Sequence, residues 1–259
     1  MLAIIVYVFV FMFGSIVGSF LNVCIHRLPR GESIVFPASH CPTCNRALPW
    51  YLNIPFASYL MLGGRCAFCK GKIKFRYFLV EGLTAFVFTV LFWRFGFRPE
   101  YFIYTALFAV LIIISFIDIE HWIIPDELSV PGTVLGLLAS FAYPALQGEV
   151  SRFAALRESF FGLAFGFISL YLIGLLGRIL YKKEAMGGGD LMLLMLIGSF
   201  LGLKLTVIAF FAAPVFGSLV GVPKLFMKKQ DIIQYGPFLA IAAFVCVFFR
   251  DDILAYFPV

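Results

Sequence analysis

Charge is what this 259-residue sequence has least of: Asp, Glu, Lys and Arg supply 13% of it, against 62% hydrophobic residues and a mean hydropathy of +1.00. An ordinary soluble domain carries roughly 25% charged residues. The polar surface that a water-soluble body of this length needs is missing, which excludes one soluble domain, a disordered chain and a disulfide-rich secreted scaffold. Low-complexity linkers and internal repeats are also absent from the sequence. The formal charge of +6, from 20 Lys and Arg against 14 Asp and Glu, does not point to nucleic acid. The basic residues fall in short gaps between apolar runs instead of forming a face in water. No Lys or Arg precedes the first apolar run, which is also too long for a signal-peptide core, so it is expected to be a retained helix.

What the sequence has in quantity is apolar stretches of membrane length. Runs of about 17 to 25 predominantly apolar residues predict spanning helices. Eight are read, at 2–25, 77–97, 99–118, 128–146, 159–181, 190–203, 205–222 and 235–250. The expected fold is an all-α polytopic membrane protein: a first transmembrane helix over 1–25, a small module over 26–76, and a helical bundle over 77–259. Loops left in the cytoplasm carry the excess of Lys and Arg. The first loop holds Arg27, Arg30, Arg46, Arg65, Lys70, Lys72, Lys74 and Arg76 against the single acid Glu32. Two gaps on the same side of an eight-helix weave carry Arg178, Lys182 and Lys183, then Lys224, Lys228 and Lys229. The opposite side has only Arg94, Arg98, Arg152, Arg157, Lys204 and Arg250. This predicts a cytoplasmic module and both termini on the far side.

Four of the six cysteines lie in that module, as Cys41-Pro-Thr-Cys44 and Cys66-Ala-Phe-Cys69. The two C-x-x-C knuckles have the spacing of a zinc ribbon. Each knuckle presents two thiolates from one turn, and a segment with few apolar side chains needs such a staple. Disulfides are the competing reading, which a reducing cytoplasm disfavours. A closed four-sulfur site is structural, because catalytic zinc keeps an open position. Cys24 and Cys246 lie in apolar runs and read as inert core residues.

Ionisable residues in spanning segments are functional hypotheses by default. Glu81, Asp118 and Asp190 qualify. Asp118 ends the third span and Asp190 opens the sixth after Gly187, Gly188 and Gly189, so both reach the membrane from the cytoplasmic side. Two carboxyls brought together away from water share one proton, and one serves as base on a water while the other serves as acid. That is aspartic protease chemistry, and it needs no cofactor. Residues without Cβ let a substrate backbone approach. On the local pattern alone, a glycine-rich turn with Asp190 as helix N-cap is an equal reading. Asp126, after Pro125 and before an apolar run, reads as the N-cap of the fourth span. Glu120 and His121 are expected in water.

Taken together, the run from Gly18 to Pro29, the four-cysteine loop, the Ile117-Asp118 to Ile124-Pro125-Asp126 block, the Gly-x-Gly-Asp motif at 187–190 and the Tyr235-Gly236-Pro237-Phe238-Leu239 tract resemble the bifunctional type IV prepilin peptidases. The resemblance implies a bacterial inner-membrane enzyme that removes the basic leader of prepilins and pseudopilins, after a Gly and usually before a Phe. It further implies that the new N-terminus is methylated from S-adenosylmethionine. It assigns proteolysis to Asp118 and Asp190, and it places methyl transfer near the module and the 18–29 run, with Asn22, His26, Arg27 and Glu81 as candidate contacts; Arg27 is equally a positive-inside anchor, and Glu81, if buried in the second span, needs the substrate amine or a basic neighbour such as Arg76. No glycine-rich dinucleotide fingerprint marks the methyl-donor site. One departure is Met192, where many members have Lys; this removes the simplest charge partner for Asp190 and leaves proton sharing within the pair.

Three rival readings are weighed against this one. A proton-coupled carrier would place its acids near the bilayer midplane and show paired halves. A zinc-anchored membrane adaptor leaves both Asp motifs unexplained, and a protease without methyl transfer differs only in the fate of the product.

Overall fold

The computed structural model describes residues 2–41, 43–182, 186–226 and 234–256. Lys183, Lys228 and Lys229 of the basic gaps lie outside the described residues. The helices are α1 (Leu2–Arg27), α2 (Ala57–Met61), α3 (Arg76–Phe95), α4 (Pro99–His121), α5 (Asp126–Ala142), α6 (Arg152–Tyr181), α7 (Gly188–Phe226), α8 (Gly236–Phe248) and α9 (Arg250–Ala255). The chain forms two compact units, 1–113 and 114–259.

In the first unit α1 lies against α3, and glycine sets how closely. A Cβ on Gly14 would stand 2.8 Å from Ala85 Cα, and one on Gly18 would stand 2.8 Å from Glu81 Cα. Lipid gives two helices no hydrophobic reason to associate, so close packing over small residues spaced four apart has to supply it. Leu21, Cys24 and Ile25 of α1 and Val80, Thr84, Ala85 and Phe88 of α3 are buried. The described residues among 28–75 between these helices form short 3-10 turns, α2, and two antiparallel bridges, His40 with Ala47 and Arg65 with Lys72.

The second unit is built on the α6–α7 crossing, where the two backbones touch. A Cβ on Gly162 would clash with the Gly198 carbonyl and stand 2.6 Å from Gly202 C, and one on Gly166 would stand 2.8 Å from Leu194 C. At Gly202 α7 breaks, with φ 73° and ψ 177°, a combination essentially restricted to glycine. The break deprives nearby carbonyls of their helical amides, and in lipid each must find another donor. The hydroxyls of Ser140 and Ser159 donate to the Ser199 carbonyl, and Gln147 Nε2 donates to the Phe200 carbonyl at 3.1 Å and to Ser140 Oγ at 2.8 Å.

Among the described residues, five helices are long and apolar enough to cross a membrane: 3–30, 76–95, 99–121, 152–180 and 188–223, with Gly236–Phe248 a shorter apolar helix. The protein is a multi-pass, all-helical membrane protein, and its helices differ in extent from the expected spans in two places. The fourth shrinks to α5, 17 residues, because the helix stops ahead of Pro144. The sixth and seventh are two helical segments that meet at Gly202, whose φ and ψ are not helical, close to the expected boundary at 203–205. The eighth shortens to α8, 13 residues.

Replacing Gly198 with Leu is expected to destabilise the protein by about 1–3 kcal/mol or more, the usual effect of overpacking. Thermal unfolding in detergent measures this, and a wild-type melting temperature would show that the α6–α7 crossing has room to spare.

Candidate functional site

Asp118 occupies the last turn of α4. The helix stops because Trp122 takes a φ of +60° and bonds its N–H to the Asp118 carbonyl at 2.8 Å, a left-handed cap. Pro125 then serves as N-cap of α5, so Asp126 is the first helical residue and not the cap expected of it. There its charge suits the helix N-terminus. His121 Nε2 lies 4.0 Å from Glu120 Oε2, both partly exposed.

Asp190 lies in the first turn of α7, inside the helix, its N–H bonded to the Gly187 carbonyl at 3.2 Å. Its carboxyl is close enough to that of Asp118 to feel that group's charge. The structure therefore brings together the two acids that the sequence singles out, 72 positions apart in the numbering. A third element, the start of α8, completes the site. Gly236 backs onto Asp118 so tightly that a Cβ there would stand 2.7 Å from Oδ2. The Gly236 N–H lies beside the same carboxyl, while Oδ2, on a residue only 7% exposed, has no donor of its own. Pro237 lacks an N–H, and the amides of Phe238 and Leu239 turn back to the Tyr235 carbonyl. Gly236 thus carries the amide that the α8 terminus offers to Asp118. The Tyr235 phenol lies near enough to Asp190 to sense its charge. In the sequence, only a Gly-Pro pair opening an apolar run marks this tract as a helix start beside the site.

The three glycines before Asp190 divide into two kinds. Gly189 serves packing, since a Cβ would stand 2.7 Å from Ile124 Cβ, whereas Gly188 faces open space and Gly187 is exposed. Beside them Leu170, Gly174, Met186 and Leu191 line a cavity of about 290 Å³ between α6 and α7.

In the first unit the two knuckles fold alike. The Cys41 N–H bonds to the Arg46 carbonyl at 3.0 Å and the Cys66 N–H to the Gly71 carbonyl at 2.8 Å, and each turn is closed by a residue of positive φ, Asn45 and Lys70. The sulfurs of Cys41, Cys44, Cys66 and Cys69 all lie within 4.8 Å of one another, the one group among the described residues that could hold a metal ion. Cys41 and Cys69 sulfurs are 3.8 Å apart. A tetrahedron with zinc–sulfur bonds of about 2.3 Å has edges of about 3.8 Å, whereas a disulfide requires about 2.05 Å. Burial alone would raise the Cys41 thiol, but the N–H groups of Cys44 and Thr43 and the Cys66 and Cys44 thiols bring it down to about 6. The Gly71 amide pulls the Cys69 thiol down, yet desolvation and its three cysteine neighbours hold it up at about 11. Binding a cation there would release the thiol protons. Cys24 and Cys246 are buried in helices, as expected.

The other predicted contacts sit along α1 and α3. Asn22 is 1% exposed; its Nδ2 donates to the Tyr77 carbonyl at 3.0 Å, and its Oδ1 has no donor. His26 is partly exposed beside Arg30. Arg27 is 5% exposed and donates from Nη1 to the Ser33 carbonyl at 2.9 Å and from Nη2 to the Pro37 carbonyl at 2.8 Å. Glu81 Oε2 accepts the Phe56 N–H at 3.0 Å.

Residues 12–95 match the bacterial peptidase A24 N-terminal domain, and residues 105–222 match the type IV leader peptidase family. A protein of Pseudomonas aeruginosa, named prepilin leader peptidase/N-methyltransferase, is 33% identical over 93% of this chain and 90% of its own length. The chain belongs to the type IV leader peptidase family. A protein of the same name from Myxococcus xanthus is 39% identical over 83% of this chain, a match that spans 62% of its own length. One from Aeromonas hydrophila is 30% identical over 96% of this chain and 92% of its own length. No solved structure matches. Within the family matches, the leader peptidase region contains both Asp118 and Asp190, and the N-terminal domain contains all four knuckle cysteines. Membership in a peptidase family sets aside the carrier and adaptor readings.

Two outcomes follow from this geometry. Gly236→Ala pushes a methyl group against Asp118 and is expected to slow leader cleavage by roughly a hundredfold, the scale of a 1 Å misplacement, with an unchanged melting temperature; a wild-type rate would detach α8 from the site. Metal analysis of the purified protein is expected to find one zinc per chain, lost in Cys66→Ser, and a metal-free wild type would leave the cysteines as thiols only.

Proposed function

We propose that this chain removes the basic leader of type IV prepilins and pseudopilins at the cytoplasmic face of a bacterial inner membrane, with Asp118 and Asp190 as the catalytic pair. It then methylates the new N-terminal residue from S-adenosylmethionine. The observation that carries the reading is the meeting of these two carboxyls in one unit, with Gly236 packed on Asp118 and open glycine backbone before Asp190. The placement of the module in the cytoplasm and of both termini in the periplasm rests on the basic residues of the first loop.

The substrate enters as an apolar helix whose basic leader stays in the cytoplasm, so depth selects the scissile bond. That bond must be unwound, because a helical carbonyl is occupied by its own hydrogen bond, and a Gly at the cleavage position makes unwinding easy. Gly187 and Gly188 leave room for an extended backbone beside Asp190. The two acids share one proton. The ionised partner takes a proton from water as its oxygen bonds to the peptide carbon; the protonated partner delivers its proton to the departing amine as the C–N bond breaks.

The freed amine has an unperturbed pKa of roughly 7.7 to 8.0, so a useful fraction is neutral and nucleophilic. S-adenosylmethionine supplies an electrophilic methyl group when bound. The orphaned Asn22 Oδ1 and the partly exposed His26 are the groups of the first unit suited to an amine-bearing ligand. Cys41, Cys44, Cys66 and Cys69 would hold a zinc ion, and four sulfur ligands would give it a structural role.

The test is the intact mass of a prepilin incubated with the enzyme and S-adenosylmethionine. Wild type yields a shortened product one methyl heavier. Asp118→Asn and Asp190→Asn each lower cleavage by roughly a thousandfold, within the usual range for lost acid–base catalysis, while still methylating a pre-cut peptide. Near-normal cleavage by Asp190→Asn would remove the aspartyl mechanism.

A further inference from the structure

Glu81 is 8% exposed in a membrane-length helix, and its carboxylate is bound to a loop backbone. Its Oε2 accepts the Phe56 N–H, and the Ser19 hydroxyl of α1 lies beside it. Phe56 has φ 59° and ψ −51°, and the Ala57 N–H closes onto the Pro55 carbonyl at 2.6 Å. That is a γ-turn of the strained hand, rare for any residue with a side chain. Such a conformation persists only where its surroundings over-determine it.

Two sets of contacts do so. The Phe56 amide is held by the Glu81 carboxylate, and the Phe56 ring is held between α1 and α3. It stacks on Phe11 at 5.9 Å between centroids and meets Phe78 edge-on at 5.2 Å. Gly82 keeps a place for that ring, which would lie 3.7 Å from a Cβ there. At the other end of α1, Arg27 grips the carbonyls of Ser33 and Pro37. Both charged side chains thus bind main chain on either side of the first knuckle, which fixes the loop's path whatever its side chains are.

We propose that Glu81 is a positioning residue for methyl transfer: through Phe56 it clamps the four-cysteine segment onto the α1–α3 pair, with Arg27 as the second clamp. This rests on the placement of methyl transfer on the first unit. The clamp requires an acceptor for one N–H and does not require a negative charge, which separates it from direct contact with the amine or the methyl donor.

The experiment compares Glu81→Gln, which keeps an acceptor, with Glu81→Ala in the full-length protein in detergent. Three rates are followed: methylation of a pre-cut pilin peptide, leader cleavage, and limited trypsin cleavage after Arg46 and Arg65. Glu81→Ala is expected to slow methylation and speed trypsin cleavage by roughly ten- to hundredfold, the weight of one charged hydrogen bond, with leader cleavage kept. Glu81→Gln is expected to stay close to wild type in all three. If Gln abolishes methylation as fully as Ala while trypsin cleavage stays slow, the carboxylate acts on the ligand and the proposal is overturned. Unchanged trypsin cleavage in the Ala variant overturns the clamp. Fast trypsin cleavage with full methylation instead overturns the placement of methyl transfer on this unit. Should the Ala variant fail to fold, Phe56→Gly retains the positive φ and the N–H but loses the ring, and only faster trypsin cleavage there supports the clamp.

Discussion

Two backbones pressed together at Gly162 and Gly198 are the condition on which the second unit rests. In lipid there is no hydrophobic reward for bringing helices together, so van der Waals contact and satisfied polar groups must do the work. With no side chain between them, α6 fixes the position of α7, and the start of α7 carries Asp190. The same crossing places the Gly202 break where Ser140, Gln147 and Ser159 can supply the donors it needs. The proposed acid pair would have to be aligned within a fraction of an ångström to share a proton. A crossing made of backbone is stiffer support for that than one made of rotatable side chains.

Candidate chemistry-bearing residues stand out in the sequence because chemistry restricts residue type and spacing. Only thiols in paired knuckles make a four-sulfur site, and acids at the ends of apolar runs stand out against a chain with so little charge. Hence the cysteine cluster and the Asp118–Asp190 meeting were both foreseeable. The helical, membrane-spanning nature of the chain was equally plain. Segment boundaries were less so. The fourth and eighth expected spans prove shorter as helices, because a hydropathy window does not register where backbone hydrogen bonding stops, whereas the division expected at 203–205 falls at Gly202.

Pairings between side chain and distant backbone were not legible. Nothing in the spacing of Glu81 names Phe56, 25 positions away, and nothing near Arg27 distinguishes a buried clamp from a charge marking the cytoplasmic side. A backbone amide has no identity in the sequence, so its partner emerges only once the loop has a path. Asp126 shows the same limit on a smaller scale: its residue type suits a helix start, but the neighbouring proline took the cap.

The break at Gly202 also bears on how the chain meets its membrane. A straight helix over 188–223 would be on the order of 54 Å long, against about 30 Å of hydrocarbon. Left unbent, nearly half of that apolar cylinder would stand in headgroups or water, or drag the bilayer out of its natural thickness. One residue without a Cβ therefore reconciles the length of a greasy segment with the thickness of the lipid around it.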